Sequence, residues 1–434
     1  MIPALERYFE FQAHGANWRT EILAGFTTFM TMAYIIFVNP SILKEAGMPV
    51  GAVTVATCLS SGFASVLMGV VARYPIALAP GMGINAYFTY SVVKAMGVPW
   101  PAALGAVFLS GVAFLVLTLG GVRQLIFSSI PVELHAAVAG GIGLFLALIG
   151  FRNSGIIVPD PATTVKLGNL HDPNTLLSLF GLLLIAVLMT RRVRAAMLAG
   201  ILATTALAVV LGMARWQPQS FTPGDIAATA FQLDLRSVLG PRMLEVVFVF
   251  LFVSLFDNIG TLVGVTKVAG LVNDRNEIPR INRILLTDAT ASIVGSLAGT
   301  STVTSYIESS AGIAAGGRTG VVAVVTGLLF FAALFVAPVV GVIPAAATAP
   351  ALIIVGTLMI ATINEIRWAD PGTGIPAFLT MLAIPLTFSI ADGLAFGFTS
   401  YTALRVFTGQ ARRVNWLVYA LTALFIARFV YLKG

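Results

Sequence analysis

Charge is what this sequence has least of. Asp, Glu, Lys and Arg make up 10% of its 434 residues, against 58% hydrophobic, and mean hydropathy is +0.95. A chain so poor in charge cannot clothe soluble domains in water, so it reads as a polytopic membrane protein. Cysteine is nearly absent as well. The single Cys58 sits in an apolar segment, which excludes an internal disulfide and any multi-cysteine metal site and leaves a small packing residue. Histidine is scarce and scattered: His14, His135 and His171 fall at the N-terminus, near a span start and in a loop, so no metal cluster or central histidine relay is visible. No Gly-Lys pair occurs, hence no P-loop and no direct ATP drive. "GMGINA" mimics a dinucleotide fingerprint, but the next acidic residue after it is Glu133, too distant, and spans surround it. These absences disfavour an enzyme.

What is there is apolar stretch after apolar stretch. Spans are expected near 22–38, 50–71, 76–96, 99–119, 131–150, 173–190, 195–213, 243–270, 283–299, 300–316, 319–343, 347–363, 375–390 and 391–409, fourteen in all. The net charge of +7 is dispersed through the loops, which argues against nucleic acid and for topology signals. With the N-terminus inside, twelve arginines between Arg73 and Arg413 fall on the cytoplasmic side and seven basic residues between Lys44 and Arg242 outside. The N-terminal "MIPALERYFEFQAHGANWRTE" is too polar and acidic for a signal peptide and suits a cytoplasmic or interfacial segment. The last apolar stretch, "NWLVYALTALFIARFVYLKG", would carry Arg428 and Lys433 outward if it crossed, so an interfacial helix is expected there.

Two spans are interrupted in the same way. "RYPIALAPGMGINAYFTY" places Pro75 and Pro80 around a short apolar piece before any helical pattern, and "GSLAGTSTVTSYIESSAG" has a β-branched, hydroxyl-rich piece before its helix. Both read as short extended strands leading into half-helices, third in each set of seven spans. That pairing points to two inverted repeats with a substrate site near the membrane midplane. A fainter echo links 193–212 with 390–409 through Gly200/Gly397 and Gly212/Gly409.

Carboxylates inside these segments need a reason. Asp257, half-way along "LFVSLFDNIGTLVGV", costs roughly 2.5 to 3.5 kcal/mol at the bilayer centre. Lys267 lies ten residues on, roughly 15 Å along a helix, too far to pair within it. A substrate or a proton is the compensating partner expected. Glu308 opens the second half-helix; Ser305 three residues before it fits a capping box, and a ligand role is compatible with that. Asn85, at the corresponding start of the first half-helix, fits a cap as well as a ligand. Asp288 suggests a surface-side pairing or a supporting role, and Glu245 and Glu21 an interfacial position.

Taken together, "GFTTFMTMAYIIFVNP", "APGMGINAYF", "LFDNIGTLVGV" and "GTSTVTSYIESSAGIAAGGRTG" resemble the second nucleobase:cation symporter family (nucleobase/ascorbate transporter type), in particular its hypoxanthine/guanine/adenine permease branch. The resemblance runs over nearly the whole chain. It implies fourteen segments in two inverted repeats of seven. The core domain would comprise 1–127 (spans 1–4) and 241–343 (spans 8–11), the gate domain 128–240 (spans 5–7) and 344–434 (spans 12–14 and the C-terminal apolar helix). It also implies an inner-membrane importer of guanine, hypoxanthine or adenine working by alternating access. Asp257 and Glu308 would contact the base and handle the proton, with Asn85, Thr28, Tyr306 and Ile307 around it. The proton is the coupling ion, no cofactor is implied, and a homodimer is expected by resemblance alone. The chain departs from the uracil and xanthine branches: Thr27 and Thr28 stand where those carry Gln-His, Asn258 and Thr261 where histidines are common, and Thr302 and Val303 where they have Asn-Pro. These departures argue against uracil and leave a carboxylate as proton carrier; an inorganic anion or a uracil/xanthine substrate is the rival on the same fold. Stacking candidates are Phe26, Phe29, Tyr34, Tyr87 and Phe256.

Overall fold

The computed structural model describes residues 2–121, 129–216, 223–271, 278–335 and 337–431. The expected boundary at 127/128 and the side chain of Lys267 lie outside the described residues.

Some helices start where the sequence supplies a side-chain cap. Asn17 accepts from the Thr20 amide at 2.9 Å to begin α3 (Trp18–Met32), after two short N-terminal helices, α1 (Ile2–Tyr8) and α2 (Phe11–His14). The chain kinks at Ala33–Tyr34 and resumes as α4 (Ile35–Lys44). Next come α5 (Val50–Leu67), the strand β1 (Leu78–Pro80), α6 (Met82–Ala86), which continues as a π-helix over Tyr87–Ala95, and α7 (Trp100–Leu119). Then follow α8 (Val132–Asn153), the hairpin β2 (Ile157–Asp160) and β3 (Thr164–Leu167), α9 (Pro173–Thr190) and α10 (Ala196–Val210).

The second half repeats this order. α11 (Pro241–Ala269), α12 (Ile281–Ala298), β4 (Val303–Ser305), α13 (Ser309–Ala314) and α14 (Gly320–Ala332) are followed by α15 (Ala345–Ile360), α16 (Pro371–Thr387), α17 (Ile390–Phe407) and α18 (Trp416–Tyr431). Asp172 and Asp370, each followed by proline, cap α9 and α16 in corresponding places. Six of the described helical segments are long and apolar enough to cross a membrane. The interrupted third and tenth spans are the strand and half-helix pairs expected.

The helices pack as two bodies. One comprises α3–α7 with α11–α14; the other comprises α8–α10 with α15–α18, centred on the α8/α15 pair. There a Cβ on Gly143 would stand 2.7 Å from the Gly356 carbonyl oxygen, so the backbones touch because neither residue has a side chain.

Inside the first body β1 and β4 pair antiparallel, Leu78 opposite Ser305 and Pro80 opposite Val303. A two-stranded ribbon buried in apolar surroundings leaves outer backbone groups that water cannot reach. Hydroxyls and amides serve them. Ser65 accepts from the Leu78 amide at 2.9 Å, the Ser292 hydroxyl donates to the Val303 carbonyl at 3.0 Å, and Asn258 Oδ1 accepts from the Ser305 amide at 3.2 Å. This explains the serines and threonines around the ribbon.

Three expectations are corrected. The C-terminal stretch does not stand apart from the bundle as an interfacial helix: α18 runs antiparallel along α17, with Thr402 and Thr422 hydroxyls 2.7 Å apart, Phe398 against Phe425, and Arg428 against Asp392 at 2.7 Å. Burying its apolar face against α17 outweighs the charge pattern that favoured the interface, because Arg428 finds carboxylates there. Glu21 is fully buried and accepts from the Arg318 and Thr319 amides at 2.8 and 3.1 Å, satisfying the start of α14. Asp288 is buried too, which overturns a surface-side pairing, while the hydrogen bond it accepts from the Ser305 hydroxyl at 2.9 Å fits the supporting role that was the alternative.

Candidate functional site

The ribbon brings the two half-helices together, with α11 passing beside them. Asp257, on α11, is partly exposed and lies against the bare backbone of Gly81, where a Cβ would sit 3.5 Å from Asp257 Oδ2. Beside Asp257 the Thr304 hydroxyl donates to Asn258 Oδ1 at 2.7 Å, and Glu308 follows Thr304 by four residues at the start of α13, which packs on α11. So the two acids foreseen from the sequence do converge.

Glu308 is partly exposed at the start of α13. It does not close a capping box: its side chain makes no cap hydrogen bond, and the Ser305 hydroxyl is turned to Asp288. Instead Glu308 Oε1 accepts from the Tyr34 hydroxyl at 2.7 Å, and Thr31 reaches the Glu308 carbonyl at 3.4 Å. Both come from the kink between α3 and α4. Ile307 beside it is 54% exposed, so this turn faces open space rather than protein.

The other expected residues occupy different positions. Tyr306 is buried, donating its hydroxyl to the Pro80 carbonyl at 2.5 Å and thereby tying β4 to β1. Thr28 is fully buried, its hydroxyl pressed against Gly312 of α13. Asn85 does not cap α6, since Gly81 holds that place. Its amide donates to Asn39 Oδ1 and its oxygen accepts from Ser301, while Asn39 donates to Thr57 at 2.7 Å and Thr300 at 2.9 Å. This network ties the first half-helix to the loop before β4. Thr28 and Asn85 therefore support the half-helices from behind.

Among the aromatic candidates, Phe26 is exposed on the outer surface, Phe29 packs edge-on against Phe330, and Tyr87 packs edge-on against Phe250. Phe256 sits next to Asp257, its ring 4.6 Å from that of His135 on α8. His135 brings the second body to within one residue of the acid, a contact the sequence position at a span start did not signal. Tyr34 was foreseen as a stacking surface and is instead the donor to Glu308. Among the described residues no cluster of three or more His, Cys, Asp or Glu could hold a metal.

A pair of carboxylates on a strand-and-half-helix crossing is a geometry that known transporters can be compared with. The sequence model of the xanthine/uracil permeases, described as a permease family, matches residues 19–396. The chain belongs to this permease family. It is 53% identical to the putative permease MJ0326 of Methanocaldococcus jannaschii over the whole of both chains. It is 44% identical to the adenine permease AdeP of Escherichia coli, covering 99% of this chain and 97% of that one. The guanine/hypoxanthine permease PbuG of Bacillus subtilis is also 44% identical, over 99% and 100%. Among solved structures, the transmembrane domain of the cyanobacterial bicarbonate transporter BicA matches with a TM-score of 0.64 at 16% identity, covering 88% of this chain and 98% of that one. Murine Slc26a9 matches at 0.66 with 11% identity, over 94% and 72%. At such identities these two establish the fold, with its core and gate bodies, and nothing beyond it.

Proposed function

We propose that this permease is a proton-coupled importer of purine nucleobases in the cell membrane, moving its substrate by alternating access of core against gate. The observation that carries the reading is the meeting of Asp257 and Glu308, one on a continuous helix and one on a half-helix, both partly exposed at the ribbon. A purine offers ring N–H donors beside carbonyl or amino groups. Two carboxylates accept from the N–H groups, and the free amides of a half-helix donate to the acceptors. The named relatives AdeP and PbuG, adenine and guanine/hypoxanthine permeases over nearly the full length, support the same substrate class. Guanine and hypoxanthine are placed ahead of adenine. Asp257, facing Gly81 and Thr304 without an arginine or lysine among the contacts described, is the proton carrier, because an ion at that depth is stable only while compensated. The arginine distribution supports a cytoplasmic N-terminus.

The test is uptake of labelled guanine, hypoxanthine, adenine, xanthine and uracil into vesicles with and without a proton gradient. Accumulation of purines that collapses with a protonophore is expected; uptake indifferent to the gradient removes proton coupling. Asp257→Asn and Glu308→Gln are each expected to abolish accumulation while membrane insertion stays normal. Wild-type transport by either variant removes that residue from the mechanism.

A further inference from the structure

Core and gate touch sparsely, yet one contact between them is a buried ion cluster. Arg428, on α18, is 8% exposed and reaches Glu245 Oε1 at 2.5 Å and Asp392 Oδ1 at 2.7 Å. Glu245 is on α11 in the core; Asp392 is in the first turn of α17 in the gate. Expected at the interface with water, Glu245 is in fact mostly buried against this guanidinium.

The cluster sits toward one end of the molecule. α17 begins just after Phe388, whose ring lies 5.5 Å from Phe145 and 5.4 Å from the Arg152 guanidinium at the end of α8, next to the β2–β3 hairpin. Along α11, Glu245 precedes Asp257 by twelve residues, roughly 18 Å. The cluster thus closes the seam between core and gate on the hairpin side of the site.

Its members divide unequally. Arg428 and Asp392 are held in one unit, because α17 and α18 are fastened by the Thr402–Thr422 hydroxyl contact and by Phe398 on Phe425. Glu245 is the member that belongs to the other body. Any sliding of core against gate separates Glu245 from Arg428 and leaves Arg428 with Asp392. Uncompensated, a buried guanidinium would forbid that motion; the second carboxylate makes it tolerable. A two-carboxylate arrangement therefore suits a contact that must break and re-form.

We propose that Arg428 is a latch: it holds the hairpin-side seam shut through Glu245, and Asp392 keeps it charged and partnered when the seam opens. The proposal rests on the alternating-access reading above. Its test measures accessibility rather than uptake, so the two fail separately.

The probe is Ile307→Cys in the full-length protein, beside the site and exposed, with the parent carrying only the buried Cys58 as blank. A membrane-impermeant maleimide is applied from each side, to intact cells and to inverted vesicles. Glu245→Gln removes the core half of the latch, and labelling from the hairpin side should rise at least five-fold while labelling from the other side falls. Asp392→Asn leaves Glu245 as the carboxylate holding Arg428, so labelling should shift the opposite way. Opposite shifts are what a latch requires, whereas a static brace moves both variants alike. Shifts of the same sign, or unchanged rates in folded protein of both variants, overturn the proposal. If Glu245→Gln does not insert, Asp392→Asn decides alone, and an unchanged or hairpin-side increase in labelling overturns it.

Discussion

Glu308 shows how a single side chain takes its role from a neighbour far away in sequence. The local pattern Ser305-x-x-Glu308 describes a helix cap, and on its own it would keep the carboxylate occupied with backbone. Asp288 draws the Ser305 hydroxyl away, and the Tyr34 hydroxyl takes Glu308 instead, aiming it at open space. A hydrogen bond to a charged group contributes about 1.5–3 kcal/mol, and its loss leaves that carboxylate oxygen without its fixed donor. Tyr34→Phe is accordingly expected to raise KM for purine uptake on the order of ten-fold, with the inserted amount and thermal midpoint close to wild type. An unchanged KM would show that substrate meets Glu308 without help from Tyr34.

At the scale of elements, the half-helix α13 is placed by close backbone contact with α3. A Cβ added at Gly312 would lie 2.6 Å from the Ala24 carbonyl oxygen and would overlap the Thr28 hydroxyl. Backbone cannot yield as a side chain can, so Gly312→Ala should destabilise by about 1–3 kcal/mol, read as a lower thermal midpoint in detergent. Adding Thr28→Ala should recover part of the loss, since the hydroxyl goes while the carbonyl stays; full recovery would contradict the close contact with α3. Thr28 thus matters as a packing partner of the half-helix, which is how a residue in an expected substrate position can influence transport without touching substrate.

For the molecule as a whole, α18 is an integral part of the second body, packed along α17. Removing residues 416–434 deletes Arg428 and leaves Glu245 and Asp392 facing the same buried space without their cation. Breaking a buried pair in this way costs about 3–5 kcal/mol, so the truncated chain should accumulate poorly in the membrane. Adding Glu245→Gln and Asp392→Asn to the truncation should restore part of the inserted protein. Failure of that rescue would mean that the loss comes from the apolar face of α17 alone.

The features legible in the chain were those fixed by local chemistry. Low charge and recurring apolar stretches determined a membrane protein. Prolines and β-branched residues gathered at 75–80 and 300–305 pointed to extended segments, because closely spaced prolines and runs of β-branched and hydroxyl residues disfavour a helix. Asp257 and Glu308 stood out because a carboxylate in an apolar run is costly in any fold. What the sequence could not decide were partners chosen across the molecule. Asn85 and Asn39, Ser305 and Asp288, Tyr34 and Glu308, and Arg428 with Glu245 and Asp392 meet only once separate elements have packed against one another. A hydroxyl or amide has no preference for one distant acceptor over another until packing removes water and leaves a single partner within reach. For the same reason charge counting sent the C-terminal helix to the interface: it weighs what a cation loses on leaving water, and only the tertiary structure supplies the carboxylates that offset the loss.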